Sequence, residues 1–255
     1  MTPMPSIRPY LSATALCAAL LIAGCSHQKK ASASSPKPTP AQQAELAAEG
    51  KLIFDQTPQH AAAYVGNKLS CGDCHVDSGK AAYAAPLINI ANVFPAYTKR
   101  AGRVISLQER INECFVRSEN GKPLPNDSPE MTAMMAYLAS LSSGVKVQAY
   151  PERGFVKVPD LKGNPERGEH VYATQCAVCH GVNGEGVPPV LPPVWGPGSY
   201  NDGAGMDHVE KMAAFLVHNM PQNHPGTLKP QDAFDVSAFI DSKPRPTMNP
   251  KYKGL

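Results

Sequence analysis

The sequence carries little net charge: 24 Lys and Arg side chains nearly balance 21 Asp and Glu, a formal +3 at pH 7. An excess that small gives no basic face for nucleic acid or for an acidic membrane surface. Long apolar runs are also missing. The best stretch, Leu11 to Ala23, falls short of the roughly 20 residues that a spanning helix needs. No feature suggests flavin, molybdenum or nucleic acid. Cysteine is scarce enough that each of the seven can be given a place.

The N-terminus gives the compartment. Arg8 precedes the short apolar run, which ends in Leu21-Ile22-Ala23-Gly24-Cys25. A positive start, a short apolar core and a small-residue exit make a signal peptide of residues 1–24. The ending also resembles a bacterial lipobox, which makes Cys25 the lipid-bearing first residue of a periplasmic protein. The alternative is an ordinary signal cut before Ser35. Ser26 after the cysteine, where Asp would retain a lipoprotein, suggests the outer membrane. Residues 25–43, rich in Ser, Ala, Lys, Pro and Gln, then read as a lipid-anchored flexible tether.

Two short stretches carry the chemistry: Cys71-Gly-Asp-Cys74-His75 and Cys176-Ala-Val-Cys179-His180. C-x-x-C-H is the attachment signal of a c-type haem. The two thiols take the vinyl groups of one porphyrin, and the following histidine, here His75 and His180, ligates the iron. Two covalently bound c-type haems are therefore expected. The competing reading is a four-thiolate zinc site. It leaves both histidines unexplained and suits an oxidising compartment poorly.

Each motif sits in a similar frame. Ala41–Phe54 and the stretch from Asn164, with Pro165 at a first helical position, read as helices upstream. Ser128–Leu141 and Lys229–Ile240 read as closing helices downstream. The fold class expected is all-α, two tandem cytochrome c-like domains at 44–143 and 164–255 joined by an extended linker at 144–163. The proline-rich run from Val187 to Val194 argues for an extended loop. With so many prolines (26 in the chain), the haem faces must supply much of each core.

A distal ligand is needed on each iron, and methionine is common. Met220, followed by Pro221 ahead of the closing helix, is favoured in the second domain; Met206, Met212, His218 and His224 are its rivals. The first domain has no such Met-Pro loop. Met131, Met134 and Met135 fall inside its last helix, where they suit core packing. Cys114 lies midway between haem motif and closing helix, and on spacing alone it is either an inert buried thiol or a distal ligand.

The segment Glu109-Arg-Ile-Asn-Glu-Cys114-Phe-Val-Arg-Ser-Glu-Asn-Gly121, with Ser128-Pro-Glu-Met-Thr-Ala-Met-Met-Ala-Tyr-Leu138, resembles the dihaem thiosulfate dehydrogenases. These are similar to the haem subunit of the thiosulfate-oxidising Sox system. The likeness runs from about Gly50 to Ile240 and includes the stretch from Leu191 to Met206. It implies that two thiosulfates are coupled to tetrathionate, reversibly in some members. It makes Cys114 the distal ligand of the first haem and part of the active site. It places Arg100, Arg110 and Ser118 where the family contacts substrate, and Met220 at the second iron. Some relatives carry a lysine before that methionine; Asn219 stands here. The implied partners are thiosulfate and tetrathionate, and a small soluble electron acceptor such as a cytochrome c or a blue-copper-type protein.

The chemistry of the residues agrees. Arginines suit a small dianion because they neutralise it and offer forked hydrogen bonds. Arg110 and Ser118, four residues either side of Cys114, share its helix face. Glu113 and Arg117 read as an ordinary solvated face. Two other functions stay open: an electron carrier with no substrate of its own, and a haem subunit that needs a substrate-bearing partner.

Overall fold

The computed structural model describes residues 37–144 and 157–255. The expectations for the signal sequence, for Cys25, for most of the tether and for much of the linker lie outside the described residues. Pro38 to Leu255 forms one compact unit.

The architecture is helical, with one small ribbon. In chain order the helices are α1 (Pro40–Asp55), α2 (Thr57–His60), α3 (Cys71–Cys74), α4 (Val76–Gly79), α5 (Leu107–Arg117), α6 (Pro129–Ser140), α7 (Pro165–Val171), α8 (Ala177–His180), α9 (Val209–Asn219) and α10 (Pro230–Asp241). The exception to an all-helical plan is an antiparallel pair, β1 (Ala96–Thr98) and β2 (Arg103–Ile105), with Tyr97 opposite Val104. The tight turn it encloses carries Lys99 to Gly102, with Gly102 in the left-handed region.

The four frame helices α1, α6, α7 and α10 start where local chemistry says they should. Each has proline in its first turn, where no backbone N–H is needed. Thr39 and Gln42 cap α1 reciprocally, while Ser128 and Asn164 each accept one orphan N–H of the helix that follows.

Frame helices cross in pairs, α1 on α6 and α7 on α10, and each crossing turns on one glycine. A Cβ on Gly50 would run into the carbonyl of Ala133 and the side chain of Tyr137; one on Gly168 would meet Asp235 and Phe239 in the same way. Two cores grow around these crossings. Phe54, Phe115, Met131, Met134 and Tyr137 fill the first, which is the packing expected of the α6 methionines. Tyr172, Trp195, Phe234 and Phe239 fill the second, together with Leu69 from the first half of the chain. The run after Val187 is a loop pinned by a single bridge between Val187 and Leu191, as its prolines require.

The halves are sewn together by backbone groups. Asn201 donates from its side chain to the carbonyl of Val116 (2.8 Å) and from its own N–H to Arg117 (3.1 Å). Asn67 reaches both Ser118 and Ser199 carbonyls, at 2.8 and 3.1 Å. The loop from Asn201 to Met206 is thereby seated on the C-terminal end of α5.

Candidate functional site

The first motif is held by its neighbours before it meets any cofactor. Ser70 caps α3 with Asp73, and the buried Thr57 takes the Cys71 N–H at 3.2 Å while giving its own to Ser70 Oγ at 3.1 Å. Burial pushes the Asp73 carboxyl up to about 6, opposed by the hydrogen bond from the Ser70 backbone.

His75 Nδ1 lies 2.8 Å from the carbonyl of Ala85, a non-glycine residue with φ of 47°. A carbonyl only accepts, so Nδ1 carries the proton and Nε2 keeps its lone pair. Burial drives the His75 imidazolium down to about 4, so the ring is neutral near pH 7, as a ligand must be. The second motif repeats the device: His180 Nδ1 meets the carbonyl of Pro192 at 2.9 Å. Two unrelated loops thus present the same free nitrogen.

Two cavities open beside these histidines. One is lined by Cys71, Cys74, His75, Cys114, Ser118 and Glu119 among others. The other is lined by His180, Met206, Met212 and Met220, with Asp73 and a largely apolar wall of Pro192, Pro193, Val194, Phe215, Leu216 and Ile240. Leu69, Cys74, Tyr200 and Met206 belong to both walls. The five described cysteines are all free thiols, so neither C-x-x-C pair is closed as a disulfide. Among the described residues no three His, Cys, Asp or Glu converge on a metal-sized site. Paired thiols, a histidine with its tautomer fixed and a sulfur on the wall of the same cavity are what a c-type haem needs, and each half supplies them.

Of the ligands weighed for the second iron, Met220 closes α9 in an extended conformation and lines the cavity. Met206 and Met212 line it too; Met212 is a core residue. His218 stacks on Tyr83 with centroids 4.4 Å apart, and His224 is exposed; neither lines the cavity.

Cys114 sits mid-helix in α5, whose start is fixed by the reciprocal Ser106–Glu109 cap. Arg110 donates to its sulfur at 3.4 Å and pairs with Glu113 at 3.2 Å. The Cys114 sulfur, followed by Glu113 after the opposing effect of burial, holds the Arg110 guanidinium above its ordinary value. Ser118 is the C-cap of α5 and lines the Cys114 cavity. Arg100 stands apart in the β1–β2 turn, exposed and outside the cavity wall.

Two residues of α5 correct the sequence reading. Glu113 and Arg117 are buried, 3% and 8% exposed, where a solvated face was expected. Arg117 reaches across to the carbonyls of Gly203 and Leu255 and to the sulfur of Met248. The second half covers that face, which no helical periodicity could announce. Sequence reasoning also passed over Glu119. It is 1% exposed, lines the Cys114 cavity, and leaves Oε2 without a hydrogen-bond partner. Burial pushes its carboxyl well above the usual range.

Comparison with known proteins agrees with this anatomy. Residues 59–147 match the SoxA/TsdA cytochrome c domain and residues 165–243 match cytochrome c. Thiosulfate dehydrogenase of Stutzerimonas stutzeri is 41% identical over 79% of this chain and 68% of its own length. That of Allochromatium vinosum is 37% identical, over 79% of each. In the solved thiosulfate dehydrogenase TsdBA of Marichromatium purpuratum, 86% of this chain superposes with a TM-score of 0.77 at 34% identity. The chain spans about half the length of that protein. Two cytochrome c domains with a sulfur on the wall of each haem cavity, and likeness at this level, make this chain a member of the thiosulfate dehydrogenase family of c-type cytochromes.

Proposed function

We propose that the protein oxidises thiosulfate to tetrathionate at Cys114, in the periplasm, and passes the electrons to a small soluble carrier such as a cytochrome c. The observation that carries the reading is the Cys114 sulfur: it lines one cavity with His75 and the Cys71 and Cys74 thiols, and it accepts a hydrogen bond from Arg110. An electron carrier has no need of a cationic hydrogen-bond donor on its ligand sulfur.

Cys71, Cys74 and His75 would hold one haem and Cys176, Cys179 and His180 the other, with Cys114 and Met220 as the distal sulfurs. When bound, the two haems supply one-electron acceptors, which together take the electron pair released below.

The protein's own groups do the rest. Arg110 positions the Cys114 thiolate and the incoming thiosulfate oxygens by charge-assisted bonds, and Ser118 offers a further donor. The outer sulfur of thiosulfate bonds to Cys114 Sγ. Thiolate plus dianion gives the S–S adduct, a monoanion, and two electrons. A second thiosulfate attacks the adduct at the sulfur that came from the first. The Cys114 S–S bond breaks, the thiolate returns and tetrathionate leaves, as in disulfide exchange. Charge is the obstacle. Bringing a dianion to about 5 Å from the monoanionic adduct costs about 1.7 kcal/mol in water, and about 7 kcal/mol at an effective dielectric of 20. Cations near Cys114 are therefore part of the chemistry.

The lipid anchor on Cys25 and the outer membrane belong to the same proposal, motivated by residues 1–26 alone; no helix among the described residues is long and apolar enough to cross a membrane. Mass spectrometry of the membrane-extracted protein would find a diacylglyceryl cysteine, and release of a Cys25→Ser variant into the soluble periplasm would agree. Electron paramagnetic resonance of the oxidised protein beside Cys114→Gly tests the reading itself. The expected result is a low-spin His/thiolate signal that the variant lacks. Two His/Met signals untouched by the substitution would leave an electron carrier without its own substrate.

A further inference from the structure

Met220 stands on a loop that does little to hold it. It closes α9 in an extended conformation, with its N–H on the Leu216 carbonyl at 3.0 Å. Beyond it, Gln222 to Thr227 are exposed, and their hydrogen bonds close within the loop: the His224 N–H on the Pro221 carbonyl, the Thr227 hydroxyl on the His224 carbonyl.

The two residues just before Met220 reach the other half of the chain instead. Asn219 Nδ2 donates to the Tyr83 carbonyl at 3.0 Å, and to the Phe215 carbonyl one turn back in α9 at 2.8 Å. A primary amide has two N–H donors, and both partners only accept. Each donor is thus used once, which fixes the way the amide points. His218 adds its ring, stacked on that of Tyr83 with centroids 4.4 Å apart and planes 20° from parallel. Tyr83 is half exposed, but the next residue, Ala84, is buried, and Ala85 gives its carbonyl to His75 Nδ1 at 2.8 Å. Three consecutive residues therefore hold the histidine of the first haem motif at one end and the approach to Met220 at the other.

We propose that Tyr83 and Asn219 are positioning residues for Met220: the segment Tyr83–Ala85, fixed to the first half through His75, clasps the end of α9 and keeps the Met220 sulfur on the second iron. This rests on the reading above, in which Met220 is that iron's distal sulfur. Whenever the methionine lifts away, an outside ligand can take its place, and the clasp sets how often that happens. Ligation in the relay half is thereby governed by a loop of the catalytic half.

Imidazole competition reads this directly. The oxidised, haem-loaded protein is titrated with imidazole and followed by electron paramagnetic resonance and by the methionine-to-ferric-iron absorption band. Asn219→Leu keeps the size of the side chain and removes both hydrogen bonds. The open fraction should rise about tenfold, within the range for one or two lost hydrogen bonds, and imidazole should bind the second iron about tenfold more tightly. Tyr83→Leu keeps the carbonyl and removes only the ring, so about threefold is expected. In both variants the His/thiolate signal of the first iron should stay as in the parent. Unchanged imidazole affinity in Asn219→Leu overturns the proposal. So does equal tightening at both irons, which marks a general loosening of the fold. Failure of the parent reading looks different: a methionine band that survives Met220→Ala takes Met220 off the iron, whatever Asn219 and Tyr83 do.

Discussion

The two halves of the molecule are one construction put to two uses. Gly50 on Ala133 and Tyr137, and Gly168 on Asp235 and Phe239, each let a frame helix pack close against its partner. His75 on Ala85 and His180 on Pro192 fix the same tautomer. They part at the second sulfur. In the first half it is a thiol in mid-helix with a guanidinium 3.4 Å away and Ser118 and Glu119 in the wall. In the second, Met220 ends a helix in a wall mostly of proline, valine, leucine, isoleucine and phenylalanine, with Asp73 as its carboxylate. Under the proposed function the more polar wall would bind and turn over the anion, and the more apolar one would relay charge. The difference lies in a few side chains and not in the frame.

That contrast can be broken most forcefully at the sulfurs. Cys114→Gly should lower turnover at least about a thousandfold while both haems remain attached, as a pyridine haemochrome assay would count. Met220→Ala should keep adduct formation on Cys114 and slow only the onward transfer to an external acceptor. Equal losses in the two variants would erase the division of labour.

Arg110→Met probes the cation on the Cys114 sulfur. We expect kcat/KM to fall by about tenfold to a hundredfold. It also leaves Glu113, whose side chain is only 4% exposed, without its ion pair. Unfolding in urea should therefore shift as well, and Arg110→Met/Glu113→Met should recover stability without recovering rate.

The shared frame predicts matched costs. Gly50→Val and Gly168→Val should each destabilise by about 3 kcal/mol or more, because the added carbons meet a facing helix backbone that cannot yield. A large cost in one half alone would show that the crossings differ. The smallest effect concerns the closing helices. Ser128 caps α6 through the Met131 N–H, whereas Lys229 gives α10 no side-chain cap. Ser128→Ala should cost about 1 kcal/mol and Lys229→Ser should gain a similar amount, read from thermal midpoints.

Much of this was legible before any coordinates. The haem motifs and the frame helices, with Pro165 leading one of them, follow from spacing and from capping chemistry, which are local; the role given to Cys114 comes from the resemblance, because spacing alone leaves it an inert thiol or a ligand. What was not legible is tertiary. Arg117 looks like any surface cation on a helix until Asn201 and Gly203 close over that end of α5. Glu119 looks like a surface acid until its carboxyl is seen in the cavity wall. A loop from residues some eighty positions away hides these groups, and periodicity within α5 carries no trace of it. The short β1–β2 ribbon was missed for a related reason: three-residue strands are too brief to set a pattern.

The partition between the cavities has a further consequence. Leu69, Cys74, Tyr200 and Met206 each face both sides of it. Such a party wall forbids modular inheritance. Neither half can be exchanged for another cytochrome by simple gene shuffling, because each swap would strip a side from the neighbour's room. Drift at any of the four positions is felt by two redox centres at once. Lineages of this fold are therefore expected to vary at their rims and termini and to keep the tandem as one heritable unit.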